Sequence, residues 1–257
     1  MTMSPLESRR KGLSTAGLKI LACVSMLIDH IGYYLVPGGT LLYHFMRYFG
    51  RLAFPIFAFC IALGCRYTRN KLKHFLCVFG LGVICEVAYF IYDGKLEGNI
   101  LLTFSCSILI IYAVQFTKKA LAQRNTLHIV LGFAAFLGML GLSYVANRLL
   151  GGISYGLFGI SLPVFASLVD YKEGEAPSFL RWFDKPGIRV ACFAVGLFIH
   201  WFTCADRFFQ FFAFFSLIPI AMYNGTPGTK KLKWAFYAFY PVHLLLIWLI
   251  GILLYGL

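Results

Sequence analysis

Long apolar runs separated by short polar breaks organise the chain from end to end. A helix needs about 17 to 25 apolar residues to cross the hydrocarbon core of a bilayer. Windows of that kind fall near residues 18–36, 41–64, 72–92, 99–117, 127–145, 153–169, 188–204, 208–223 and 234–256. The pattern predicts an all-α, polytopic transmembrane helix bundle of about nine helices. Eight to ten are compatible with the soft boundaries at Gly151-Gly152 and at Cys204 to Arg207. Residues 1–17 read as a basic N-terminal segment and 18–257 as a single transmembrane domain, with no repeat of fixed period. The longest polar connection, Asp170 to Arg189, is too short for a domain of its own. Its Phe179 to Phe183 stretch is expected at the membrane surface.

Composition agrees with that pattern. Of 257 residues, 60% are apolar and 18% aromatic, outside the soluble globular range. The formal net charge of +13 would suggest nucleic acid in a soluble chain, so the position of the charges decides its meaning. Basic residues at 9–11, 66–73, 118–124, 172–189 and 230–233 fall in one alternate set of loops, whereas the other set holds only Lys95, Arg148 and Arg207. The positive-inside rule then predicts a cytoplasmic N-terminus and an external C-terminus. Membrane lipids, and no nucleic acid, are the partners this implies.

Eight cysteines lie mostly inside the predicted spans, with no C-x-x-C pair and no His/Cys cluster at zinc spacing, so they are read as packing residues and no metal is expected. Arg9, Arg10 and Lys11 before an apolar run imitate a secretory signal. The run is interrupted by Asp29 and His30 and lacks a small-residue cleavage site, so the first span is expected to be retained. Gly80, Gly82, Gly132, Gly138 and Gly196 are expected to be close-packing points between helices.

The candidate chemistry lies in the spans. Ionisable groups in hydrocarbon are costly and mark functional interiors by default, and the first span carries Asp29 and His30 side by side. Lys19 lies eleven residues before His30, ~16 Å along a helix and nearly three full turns, on the same face. In the second span Arg47 and Arg51 sit four apart on one face, and Pro55 removes the donor for the carbonyl of Arg51, predicting a kink beside them. With the predicted topology, Asp29, His30, His44, Arg47, Arg51, Glu86, Asn99, His200 and His243 all fall in the middle and outer half of the membrane. A hydrated cavity open outward would host them. Asp29 and Glu86 are equally readable as structural ion-pair members, and His44 and His200 as interface residues.

The stretches LKILACVSMLIDHIG (18–32) and RYFGRLAFPIFAFCIALGCRYTRN (47–70) resemble the start of the TraX family, whose best-known member acetylates the N-terminus of F-pilin. GNILLTFSCSIL (98–109), ISYGLFGI (153–160) and FYAFYPVHLLLI (236–247) resemble later blocks in the same order. Lys19-x10-His30 is similar, more loosely, to a first-helix motif of other transmembrane acyltransferases. The resemblance implies a multi-pass acetyltransferase of the bacterial plasma (inner) membrane with cytoplasmic acetyl-CoA as acyl donor. The acceptor would be an amine or hydroxyl at the membrane or outer face, on a protein N-terminus, a sugar or a lipid.

Acyl transfer needs a base, a carboxylate to orient it and a cation or donor facing the developing oxyanion. The expected assignment is His30 as base, Asp29 as orienting carboxylate and Arg47 or Arg51 as oxyanion or substrate-anion stabiliser, with Glu86, Asn99, Tyr240 and His200 completing the substrate site. His243 is an alternative base or acyl carrier, although direct transfer is preferred to a relay. Lys19, Arg66 and Arg69 would hold the donor's phosphates at the cytoplasmic mouth, a role that positive-inside anchoring explains equally well. Two rivals remain at this stage: a proton-coupled small-molecule transporter and a non-enzymatic assembly partner for a surface protein. Sequence leaves oligomeric state open.

Overall fold

A computed structural model describes residues 12–170, 181–229 and 232–255. Among them the chain is helical, with no strand beyond one isolated bridge between Leu13 and Tyr223. The helices are α1 (Thr15–Leu35), α2 (Leu41–Gly50), α3 (Ala53–Tyr67), α4 (Lys71–Asp93), α5 (Ile100–Ala122), α6 (Thr126–Leu149), α7 (Gly156–Ser167), α8 (Pro186–Thr203), α9 (Arg207–Phe211), α10 (Leu217–Ala221) and α11 (Lys233–Tyr255). Because α2 with α3, and α9 with α10, form continuous apolar rods (Leu41–Tyr67 and Arg207–Ala221), the described residues contain nine rods. Seven are long and apolar enough to cross a membrane; Gly156–Ser167 and Arg207–Ala221 are shorter. Of the stretch expected at the membrane surface, Arg181–Phe183 forms a single 3₁₀ turn, and Phe179 and Leu180 lie outside the described residues.

The helix starts follow from local chemistry. The first amides of a helix have no intrahelical acceptor, so a short polar side chain at the preceding position is favoured. Ser14 caps α1, Thr40 α2, Asn70 α4, Asn99 α5 and Asn125 α6, each accepting from an amide two or three residues on. Gly94, at φ +70°, ends α4 in the left-handed conformation that glycine tolerates, and Pro186 opens α8, where its missing N–H costs nothing.

The chain divides into two compact units, Met1–Cys60 with Phe208–Leu257, and Ile61–Arg207. In the first, α1 and α2 pack antiparallel, with Ser25 against Phe49 and Gly50, Asp29 against Arg47 and Arg51, and Gly32 against Met46. The expected kink is present: α2 stops at Gly50, and Arg51 and Leu52 donate to Tyr48 and Phe49 in tighter, 3₁₀-type bonds before α3 begins. Pro55 explains the break, because the carbonyl four residues earlier has no amide to receive. Ser25 donates its hydroxyl to the carbonyls of Phe49 (2.8 Å) and Gly50 (3.3 Å) at the bend. Helix α11 runs parallel to α1: Lys19 lies over Phe236, His30 meets His243, and the Tyr255 hydroxyl donates to the Leu35 carbonyl.

In the second unit, the loops before α5 and α7 are fastened together. Ser154 N–H donates to the Gly98 carbonyl (2.7 Å), Thr103 to the Ser154 carbonyl (2.8 Å) and Ser107 to the Ile160 carbonyl (2.7 Å). Asp170, after α7, pairs with Arg66 and Arg189, while Lys118 donates to the Ser167 and Asp170 carbonyls. Three of the five glycines expected at helix contacts are there: a Cβ on Gly82, Gly132 or Gly196 would press on Leu102, Thr117 or Phe165, but Gly80 and Gly138 have no neighbour among the described residues within 4 Å of such an atom. Helical periodicity explains the difference, since Gly80 and Gly82 lie on different faces of α4.

Candidate functional site: an arginine-held carboxylate beside a histidine pair

The first unit gathers most of the predicted chemistry. Asp29, in the C-terminal third of α1, receives Arg47 at 2.7 Å and Arg51 at 2.9 and 3.0 Å, so one buried carboxylate joins two guanidiniums and the formal charge of the group is +1. The arginines reach it together because Arg47, in the last turn of α2, and Arg51, at its C-cap, stand one turn apart. Gly50, between them, lets the helices approach: a Cβ there would overlap the carboxyl group of Asp29. Aromatic faces hold the guanidiniums from the other side. Arg47 lies over Tyr33 (4.7 Å) and Phe209 (5.4 Å), and Arg51 over Phe209 (4.6 Å). Tyr48 stacks on Phe212 (4.2 Å) and faces His44 (6.0 Å), extending this wall along α2.

Next to the carboxylate in sequence, His30 turns toward α11. Its Nδ1 lies 2.7 Å from Nε2 of His243, and Nδ1 of His243 lies 2.6 Å from the Phe239 carbonyl oxygen. The two imidazole planes are within 10° of parallel and their centroids are 5.0 Å apart. That separation is little more than the N···N distance plus the two ring radii, so the rings meet edge to edge. The Phe239 ring stacks on His243 at 4.7 Å, and Tyr240 packs against its edge at 5.9 Å. Asp29 is thus engaged by the arginines and His30 by a second histidine. The two side chains leave α1 about 100° apart, which lets neighbours in sequence serve separate partners.

Lys19 lies over the ring of Phe236, 5.4 Å from its centre, on the α11-facing side of α1 that also carries His30. The remaining expected residues belong to the second unit. Glu86 accepts the amides of Glu97 (2.7 Å), Gly98 (2.9 Å) and Asn99 (3.1 Å) and the side-chain amide of Asn99 (2.8 Å). Asn99 also caps α5 and donates to the Gly82 carbonyl. This carboxylate and this amide are engaged with backbone, an arrangement that fastens the α4–α5 turn. His200 is buried beside Tyr155, with the Cys204 sulfur 3.7 Å from its Nε2. Arg66 pairs with Asp170, and Arg69 is exposed. No group of three or more metal-ligating side chains occurs among the described residues.

Four contributors had no clear signal in the sequence: Ser25, Tyr33, Phe209 and the Phe239 carbonyl. Gly50, flanked by two arginines at i−3 and i+1, carried the one usable hint, because a glycine amid long cations marks a close approach of backbone.

Fold and site together define a multi-pass helical membrane protein with a buried ionic cluster in its first helix pair. The family described as TraX protein matches residues 14–251, and the chain belongs to the TraX family. It is similar to the probable fimbrial assembly protein FimC, serogroup H1, of Dichelobacter nodosus, with 26% identity over 50% of this chain and 57% of that protein. It is also similar to the uncharacterized protein RP591 of Rickettsia prowazekii (strain Madrid E), with 27% identity over 68% of this chain and 59% of the relative. The chain therefore spans a little under three fifths of the length of these two relatives. No solved structure matches it.

Proposed function

We propose that this protein is a membrane-embedded acetyltransferase that moves an acetyl group from cytoplasmic acetyl-CoA to an amine or hydroxyl presented at the membrane or outer face. The reading also places the chain in a bacterial inner membrane with its N-terminus in the cytoplasm. The observation that carries it is the junction, in one helix pair, of a histidine with a carboxylate holding two arginines. Three ionised groups with one surplus positive charge suit a site where negative charge develops on a carbonyl oxygen. A histidine next to it suits proton removal from the attacking group. The family membership and the fimbrial name of one relative favour a surface-protein N-terminus as acceptor.

In this mechanism the acceptor nitrogen attacks the thioester carbonyl carbon while His30 takes the proton the nitrogen loses. The carbonyl oxygen becomes an oxyanion facing guanidinium N–H groups of Arg47 or Arg51, each guanidinium having five donors. The C–S bond then breaks, and the departing thiolate takes the proton held by His30. Asp29 acts by fixing the two arginines, a division of labour that replaces the expected carboxylate–histidine contact. Tyr240 packs at the edge of the histidine pair, and Lys19 is placed to meet a phosphate of the donor. Glu86, Asn99 and Arg66 are assigned to holding the second unit together.

The test is transfer of labelled acetyl from acetyl-CoA by the purified, detergent-solubilised protein to a set of acceptors: a peptide with a free N-terminus, the same peptide N-blocked, a hexosamine and a lipid amine. Label on the free-amine peptide and none on the blocked one supports the reading. Binding of acetyl-CoA without transfer to any acceptor contradicts it and favours a transporter or an assembly partner.

A further inference from the structure

A half-buried histidine and a buried one in hydrogen-bond contact can share the work of a base in several ways, and the surroundings of this pair select one. A carbonyl oxygen carries no proton and can only accept, so the contact between Nδ1 of His243 and the Phe239 carbonyl (2.6 Å) requires that Nδ1 hold the hydrogen. In a neutral imidazole the other nitrogen then carries a lone pair. Nε2 of His243 faces Nδ1 of His30 at 2.7 Å with the rings edge to edge, so this lone pair accepts the Nδ1–H of His30. His30 is left with its own lone pair on Nε2. The chain of donors runs from His30 Nδ1 to His243 Nε2, and from His243 Nδ1 to the Phe239 carbonyl.

From this polarity we infer that His243 is a positioning residue: it holds His30 in the tautomer whose Nε2 is free to take a proton, and it carries neither the acyl group nor the transferred proton itself. The assignment rests on the acetyltransferase reading and decides between the two roles open to His243 in it. The arrangement parallels a base oriented by a third group through its far nitrogen, with a neutral imidazole where a carboxylate more often stands. Both nitrogens of His243 are engaged, which removes it as a nucleophile. When His30 takes the proton, its Nδ1–H becomes a donor from a cation, and the bond to His243 strengthens. The parallel course of α1 and α11 sets this contact across 213 residues of sequence. The Phe239 ring, stacked on His243 at 13° and 4.7 Å, holds the plane of the imidazole.

Three variants separate the roles, because a glutamine side-chain oxygen falls near the place of Nε2, whereas an asparagine amide falls near Nδ1. His243→Gln keeps an acceptor for His30 but has no nitrogen that titrates or can be acylated. His243→Asn keeps the donor to Phe239 and loses the acceptor for His30. His243→Ala loses both. In folded, monodisperse protein, His243→Gln is expected to retain acetyl transfer within about tenfold of wild type, and the other two to lose about 10²- to 10³-fold in kcat, the scale of a misdirected base. A His243→Gln variant as inactive as the alanine variant overturns the inference in favour of His243 as base or acyl carrier. Wild-type rates in all three also overturn it.

A second readout does not depend on activity. In protein labelled with ¹⁵N at its six histidines, with the His30 signals assigned by their loss in His30→Ala, His30 should be protonated at Nδ1 and bare at Nε2 in the wild type. His243→Ala should lose that preference and His243→Gln keep it. A wild-type His30 protonated at Nε2 contradicts the assignment even if the protein proves to transfer no acetyl group, an outcome that would remove the acetyltransferase reading alone.

Discussion

Asp29 and Glu86 are both carboxylates in the apolar interior of a helix bundle, 8% and 6% exposed, yet they are held in opposite ways. Glu86 is satisfied by three consecutive backbone amides and the Asn99 side chain, so its charge fixes the shape of a turn. Asp29 is satisfied by two long, charged side chains from the next segment of chain, which leave the group with a surplus positive charge. Backbone satisfaction of the Glu86 kind recurs where Thr103, Ser107 and Lys118 donate to carbonyls and stitch loops and helix ends, and where Ser25 does so at the α2–α3 junction. A buried charge satisfied by backbone stabilises one shape, whereas one satisfied by other side chains leaves ionisable groups within reach of a ligand.

The largest effect that would sharpen this comparison comes from the carboxylates themselves. Asp29→Asn leaves the buried Arg51 and half-buried Arg47 without their shared carboxylate, a loss of about 3–5 kcal/mol, and should abolish acetyl transfer in the fraction that folds. Glu86→Gln presents an NH₂ group to amides that need an acceptor and should cost about 1.5–3 kcal/mol for each charge-assisted bond lost. Its fall in transfer should follow the folded fraction alone. Thermal unfolding in detergent with turnover per folded molecule checks both. Equal losses of specific turnover in the two variants would erase the distinction.

Glycine substitutions come next, with opposite signs. Gly50→Ala drives a Cβ into the Asp29 carboxyl group and should destabilise by about 1–3 kcal/mol, the usual cost of overpacking, and weaken transfer with it. Gly80→Ala, in the interior of α4 with open space around the new atom, should stabilise by about 0.5–1 kcal/mol through helix propensity. Melting temperatures of the pair decide it, and a shift of the same sign in both would contradict the packing described here. Ser25→Ala is the smallest change. It removes the hydroxyl from the carbonyls at the α2–α3 bend and should cost about 1 kcal/mol, with acetyl transfer reduced only slightly.

What the sequence disclosed follows from the range of each interaction. Helix positions were legible because spanning length and the Pro55 break are local properties. That Arg47 and Arg51 share a face was legible from their one-turn spacing, and an ion pair was one of two readings open for Asp29. The contact of His30 with His243 was not, because it depends on α11 lying beside α1, a long-range packing that no local pattern encodes. Glu86 was misleading for a different reason: its partners are main-chain amides, and backbone donors leave no trace in residue identity. Asn99, the last residue of the turn, was the nearest clue, since an asparagine before an apolar run marks a cap. Gly80 and Gly82 differed only in which face of α4 met a neighbour.

The most direct test of the central claim is the single-turnover rate of acetyl transfer from labelled acetyl-CoA to a free-amine peptide in wild type and His30→Ala, each confirmed folded by its melting temperature. The account predicts transfer by wild type and a loss of about 10²- to 10⁴-fold in the variant, the range for removing a general base. A variant that transfers at the wild-type rate would contradict it.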